Sequence, residues 1–80
     1  MNVQITAFGI SKDILGTARL QIELPEAATV AHLKEALERQ FPQLAELKSL
    51  AVAVNQEYAP ENQPLASSDE IVLIPPVSGG

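Results

Sequence analysis

An α+β fold is predicted, a four- or five-stranded mixed sheet wrapped on one main helix with an extended C-terminal tail. Three observations predict it. Two early segments alternate apolar and polar residues with the period of a half-buried strand. A single segment, Val30 to Phe41, carries apolar residues at helical spacing. A β-favouring run, Ile71 to Ile74, closes on a double proline.

In the first segment Val3, Ile5 and Ala7 alternate with Asn2, Gln4 and Thr6, so one face is buried and the strand ends near Gly9. A polar stretch from Ser11 to Gly16 follows, interrupted by Ile14 and Leu15, and reads as a loose loop. Ala18, Leu20, Ile22 and Leu24 then alternate with Arg19, Gln21 and Glu23 until Pro25 halts the ladder, which makes the two strands a hairpin. Thr29 can cap a helix that begins at Val30. Val30, Leu33, Leu37 and Phe41 recur at three- and four-residue spacing, with Lys34, Glu35, Glu38 and Arg39 opposite, and Pro42 ends the pattern. Leu50 to Val54 suits a buried strand, Asn55 and Gln56 supply turn chemistry, and Glu57 to Ala59 continue as a short edge strand. Pro60 to Asp69 reads as loop. Ile71 to Ile74 then reads as a central strand covered on both faces, stopped by Pro75 and Pro76.

The order strand, strand, helix, strand, short strand, strand is that of a β-grasp domain, with the last strand beside the first. A ferredoxin-like split needs a second long helix, and no second helical pattern is present. We assign residues 1–76 to this domain and 77–80 to a flexible Gly-Gly tail.

Eighty residues leave room for one core only. With no cysteine, thiolate metal sites and cysteine nucleophiles are excluded, so any sulfur chemistry cannot use a side-chain thiol. Ten acidic against five scattered basic residues, a formal charge of −5, argue against nucleic acid. The longest apolar runs are far too short to cross a bilayer, and the expected setting is the cytoplasm. His32, the one histidine, lies in the helix without partners for metal or proton chemistry, so no metal site is assigned. Glu35, Glu38 and Glu46 fit a solvated face.

The chemistry points to the tail. Val77, Ser78, Gly79 and Gly80 follow the double proline and can project roughly 13 Å if extended. Pro75 and Pro76 stiffen the root, and the glycines narrow the tip, as a threaded arm requires. At the tip stands the Gly80 carboxylate, a weak oxygen nucleophile that needs activation. Attack on the α-phosphate of ATP gives an acyl-adenylate, and a sulfur or amine nucleophile then displaces AMP. No Gly-rich phosphate loop is present, so a separate enzyme is expected to hold the ATP and this chain to bind no cofactor and catalyse nothing alone. A place for that partner is also legible. If Val3, Ile5, Ile71 and Leu73 face the helix, parity sends Phe8, Val72 and Ile74 to the opposite face beside the tail root, where Tyr58 extends the patch and Pro75 and Pro76 complete it.

These residues resemble the small, sulfur-carrying subunit of molybdopterin synthase, a ubiquitin-like family. The resemblance rests on Val54-Asn55-Gln56, Pro64-Leu65, Asp69-Glu70-Ile71 and above all the ending Pro75-Pro76-Val77-Ser78-Gly79-Gly80. Phe8 and Leu15-Gly16-Thr17 extend it over nearly the whole chain. It implies that an ATP-dependent E1-like activating enzyme adenylates Gly80 and that a sulfur donor converts it to a thiocarboxylate. The loaded tail then enters the large synthase subunit, in a heterotetramer of two small and two large subunits, and gives sulfur to cyclic pyranopterin monophosphate. It also places Phe8, Tyr58 and Ile74 in the family's docking patch, although a larger aromatic is familiar where Ile74 stands. A Gly-Gly ending alone is equally at home on a ubiquitin-like protein modifier or a carrier for thiamine or tRNA thiolation, and these are the alternatives.

Overall fold

The computed structural model describes residues 1–47 and 50–75. The elements are β1 (Asn2–Ala7), α1 (Gly9–Leu15), β2 (Arg19–Glu23), α2 (Val30–Gln40), a 3-10 turn (Pro42–Glu46), β3 (Ala51–Val54), β4 (Glu57–Tyr58) and β5 (Ile71–Ile74). They form a five-stranded sheet in the order β2-β1-β5-β3-β4. β1 and β2 pair antiparallel as a hairpin, β1 and β5 run parallel, and β3 pairs antiparallel with both β5 and β4. The β-grasp order read from the sequence therefore holds, with the last strand beside the first.

Alternation builds the core. Val3, Ile5 and Ala7 of β1, Ile22 of β2, Val52 and Val54 of β3, and Ile71 and Leu73 of β5 all point to one face. Val30, Leu33 and Leu37 of α2 close over it, since spacings of three and four put them on one helical stripe, and Leu44 from the 3-10 turn completes the cover. Thr29 caps α2 as expected. Its Oγ1 accepts from the His32 N–H at 3.4 Å, and the His32 Nδ1 accepts from the Thr29 N–H at 3.0 Å, a reciprocal box that satisfies two otherwise open donors. His32 is thus an exposed helix-end residue with a structural task. At the other end Pro42 cannot continue the ladder, and the Phe41 N–H makes the last bond, to the Leu37 carbonyl.

Two readings need correction. The stretch after β1 is a helix, α1, and not a loose loop. It is short, and glycines bracket it, Gly9 at φ +54° and Gly16 at φ +78°. It buries Ser11 and Leu15, four apart, and a serine at a core position hides the periodicity. The second concerns β5, which is central in the sheet but, among the described residues, has helical cover on one face only. Ile71 and Leu73 are fully buried, while Val72 and Ile74 are half-buried, because α2 and the 3-10 turn pack on the opposite face.

Candidate functional site: the outer sheet face at the tail root

Strand register decides which outward side chains are neighbours. Thr6 pairs with Val72, Val72 with Ala53, and Ala53 with Tyr58, so these four form one row across the outer face. Ile74 pairs with Ala51 in the next row, and Phe8 lies one residue beyond the Ala7–Leu73 pair, on the Ile74 side. Three strand spacings carry the patch about 14 Å from β1 to β4, and its two rows stand about 7 Å apart.

Of the residues expected here, Phe8 is 54% and Tyr58 73% exposed, and Val72, Ile74 and Pro75 are half-buried. The structure brings Phe8, Tyr58, Val72 and Ile74 onto one surface, ending at Pro75. Pro76, Val77, Ser78, Gly79 and Gly80 lie outside the described residues. Ala51 and Ala53 were not foreseen as the floor of the patch. Their small side chains let Val72, Ile74 and Tyr58 stand proud, and only the β3–β5 register could have found them. Ile10 was also missed. It is 50% exposed on the first turn of α1 and, with Ile14 and Leu47, lines an open groove of 330 Å³.

The far side of the patch is pinned by a polar staple. Asn55 and Gln56, at φ +53° and +72°, make the two-residue β3–β4 turn, whose positive φ at both positions matches the twist of the flanking strands. Asn55 Nδ2 donates to Asp69 Oδ1 at 3.0 Å, and Asn55 Oδ1 accepts from the Glu70 N–H at 3.0 Å. Asp69 Oδ2 accepts from the Ala66 N–H at 2.8 Å. The hairpin that carries Tyr58 is thereby locked to the start of β5, which carries Val72 and Ile74.

Beyond Thr6 the outer face turns polar. Gln4, Thr6, Arg19, Ser68 and Glu70 surround an open depression of 410 Å³. Arg19 faces Thr6 across the β1–β2 pair, and Glu70 and Asp69 carry opposite charge on the same rim. The outer face is thus graded, apolar at the tail root and mixed in charge at the other end. No helix among the described residues is long and apolar enough to cross a membrane.

A small mixed sheet folded over one long helix, with an apolar outer face at the root of a Gly-Gly ending, defines the class of ubiquitin-like sulfur carriers. Residues 5–80 match the profile of the ThiS family, and the chain belongs to that family. Three similar proteins place it further. The molybdopterin synthase sulfur carrier subunit of Dictyostelium discoideum is 38% identical over 96% of this chain and 94% of its own. A chain of a complex of subunits 1 and 2 of the molybdopterin-converting factor from Helicobacter pylori superposes with a TM-score of 0.70 at 28% identity, covering all of both chains. SAMP1 of Haloferax volcanii, a small archaeal modifier protein, superposes with a TM-score of 0.85 at 26% identity, again over all of both chains.

Proposed function

We propose that this protein is the sulfur carrier of a molybdopterin synthase and that Gly80 carries the sulfur. The observation that carries the reading is the convergence of Phe8, Ile74, Val72 and Tyr58 on one outer face that ends at Pro75, where the tail begins. A partner seated on that face stands where it can receive Val77 to Gly80. The Gly80 carboxylate attacks the α-phosphorus of ATP held by an E1-like activating enzyme, and pyrophosphate leaves. A sulfur nucleophile then displaces AMP and leaves a thiocarboxylate. The large subunit receives the tail, and sulfur passes to cyclic pyranopterin monophosphate, twice per dithiolene formed. One small domain therefore visits two partners in the cytoplasm, and a patch of moderate size permits exchange between them. The working assembly has two small and two large subunits.

Mass spectrometry of the chain co-expressed with an activating enzyme and a sulfur source is expected to find oxygen replaced by sulfur at Gly80. A plain carboxylate under those conditions refutes the reading. The likeness to a small archaeal modifier protein supports a second use of the same carboxyl, isopeptide formation with lysine. Lysine adducts bearing a Gly-Gly remnant, found in extracts only when Gly80 is present, would establish it.

A further inference from the structure

β2 forms one edge of the sheet, and β4, which forms the other, is only two residues long. β2 pairs with β1 through five consecutive residues, Arg19 to Glu23, with no bulge and no proline. Sheets commonly blunt an edge with a short strand, a bulge or a proline, and β2 has none of the three. The Ala7 N–H donates to the Ala18 carbonyl at 2.8 Å, and the Leu24 N–H donates to the Met1 carbonyl at 2.8 Å. Hydrogen-bonded pairs recur at every second residue of an antiparallel ladder, so Leu20 and Ile22 also bond to β1. Arg19, Gln21 and Glu23 therefore turn their backbone N–H and C=O groups to the open edge. Thr17 covers the first of these positions. Its Oγ1 donates to the Arg19 carbonyl at 2.9 Å and accepts from the Arg19 N–H at 3.3 Å. Among the described residues no strand pairs with this edge.

The strand is also complementary to itself. Set antiparallel to a second copy about Gln21, it brings Arg19 opposite Glu23 of the second copy, Glu23 opposite Arg19, and Gln21 opposite Gln21. These are the residues whose backbone groups face the edge, so the register that pairs the charges also completes the ladder. On the inner face half-buried Leu20 meets Ile22 of the second copy. Moving the axis to Leu20 or to Ile22 sets Arg19 opposite Gln21 or opposite Pro25, which has no N–H to give, and loses both charge pairs. Among the described residues neither Arg19 nor Glu23 has an ion-pair partner in its own chain. Each chain carries a net charge of −5, which opposes association except where opposite signs meet. We propose that β2 is a self-association edge, through which two copies form a twofold dimer about Gln21 with reciprocal Arg19–Glu23 pairs. Thr17 guards it, because both outer pairs of the new ladder use the Arg19 backbone groups and the hydroxyl must swing away before they form. The axis stands perpendicular to the sheet, so both outer faces look the same way, and five strand spacings separate the two β5 strands by about 24 Å. The two surfaces of Phe8, Val72 and Ile74 stay uncovered at opposite ends of one continuous sheet, each open to its own partner.

Sedimentation equilibrium of the full chain reads the association. A contact this small belongs with weak complexes, and the expected dimer has a Kd of about 0.1–1 mM. Thr17→Ala is expected to tighten it at least about three-fold, since the Arg19 groups then stand open to the second copy. Arg19→Glu and Glu23→Arg each set like charges opposite one another twice and are expected to weaken it at least about ten-fold. Both residues are exposed, and thermal unfolding checks the fold of each variant. Mixed in equal amounts, the two single variants are expected to form a heterodimer at wild-type affinity or better, because every facing pair is then opposite in sign. The double variant Arg19→Glu/Glu23→Arg is expected to regain the homodimer. A wild-type chain that stays monomeric at about 1 mM overturns the proposal, as does a mixture of the two folded single variants that associates no better than either alone. A dimer that survives Arg19→Glu unchanged, or that Phe8→Ala abolishes, belongs to another surface and overturns it equally.

Discussion

Truncation of Phe8 gives the sharpest test of the docking face. The residue is 54% exposed, and an aromatic side chain buries about 150–250 Å² when fully covered, so about 100 Å² of Phe8 remains for a partner to cover. At about 25 cal/mol per Å² that area contributes about 2.5 kcal/mol if a partner covers it fully. Alanine retains the Cβ, which leaves a loss of about 2 kcal/mol, or roughly 30-fold in Kd. The free domain should barely notice, because the ring lies outside the core and surface substitutions typically change stability by about 0.5 kcal/mol or less. Isothermal titration of Phe8→Ala against the large subunit of a relative's molybdopterin synthase reads the affinity, and thermal unfolding reads the fold. Gln40→Ala, exposed at the end of α2 on the other side of the sheet, is the matched control and should bind as wild type. A Phe8→Ala affinity within about three-fold of wild type, at unchanged melting temperature, would refute the assignment of the outer face, since such a loss is under about 0.7 kcal/mol.

Other substitutions probe the scaffold that presents this face. Leu33→Ala empties a fully buried position between α2 and the sheet, and urea unfolding should show a loss of about 3 kcal/mol. Thr29→Ala breaks the reciprocal cap with His32 and should cost about 1 kcal/mol, seen as a lower urea midpoint at unchanged slope. Gln56→Gly should act in the opposite direction. Gln56 holds φ +72° in a two-residue hairpin turn, a conformation that costs an L residue about 1 kcal/mol, and glycine relieves it. A melting temperature raised by a few degrees is the expected reading, and a fall would show that the Gln56 side chain contributes more than its backbone costs.

The sheet and long helix were legible because their side chains obey one period each. Val3, Ile5 and Ala7 alternate cleanly, and Val30, Leu33 and Leu37 share a stripe, so hydropathy alone places both faces. α1 was not legible because the signal is carried by a serine. Ser11 reads as solvent-facing, yet the Phe8 carbonyl satisfies its hydroxyl, and a satisfied hydroxyl can be buried at little cost. The available clues were Ile10 with Ile14, Ser11 with Leu15, and a glycine after the last turn. The outer patch was half legible. Parity along β1 and β5 exposes Phe8, Val72 and Ile74, and Tyr58 was expected to extend them, but the β3 register that carries Tyr58 to Val72 through Ala53 is not contained in periodicity.

The unbroken run Ile71 to Ile74 shows why a local pattern can mislead and still inform. Four consecutive apolar residues demand cover on both faces, and the described residues supply helical cover on one. Val72 and Ile74 bury only part of their side chains, whereas the outer half of β1, with Gln4 and Thr6, is polar and equally well paired. Their apolar character is what the proposed docking face would use. The staple of Asn55 and Asp69 holds the β4 side of that surface, and the Ser11-braced corner holds the Phe8 side. These polar contacts thus brace the outer face from its β4 side and from its Phe8 side, and Val72 and Ile74 stand between the two.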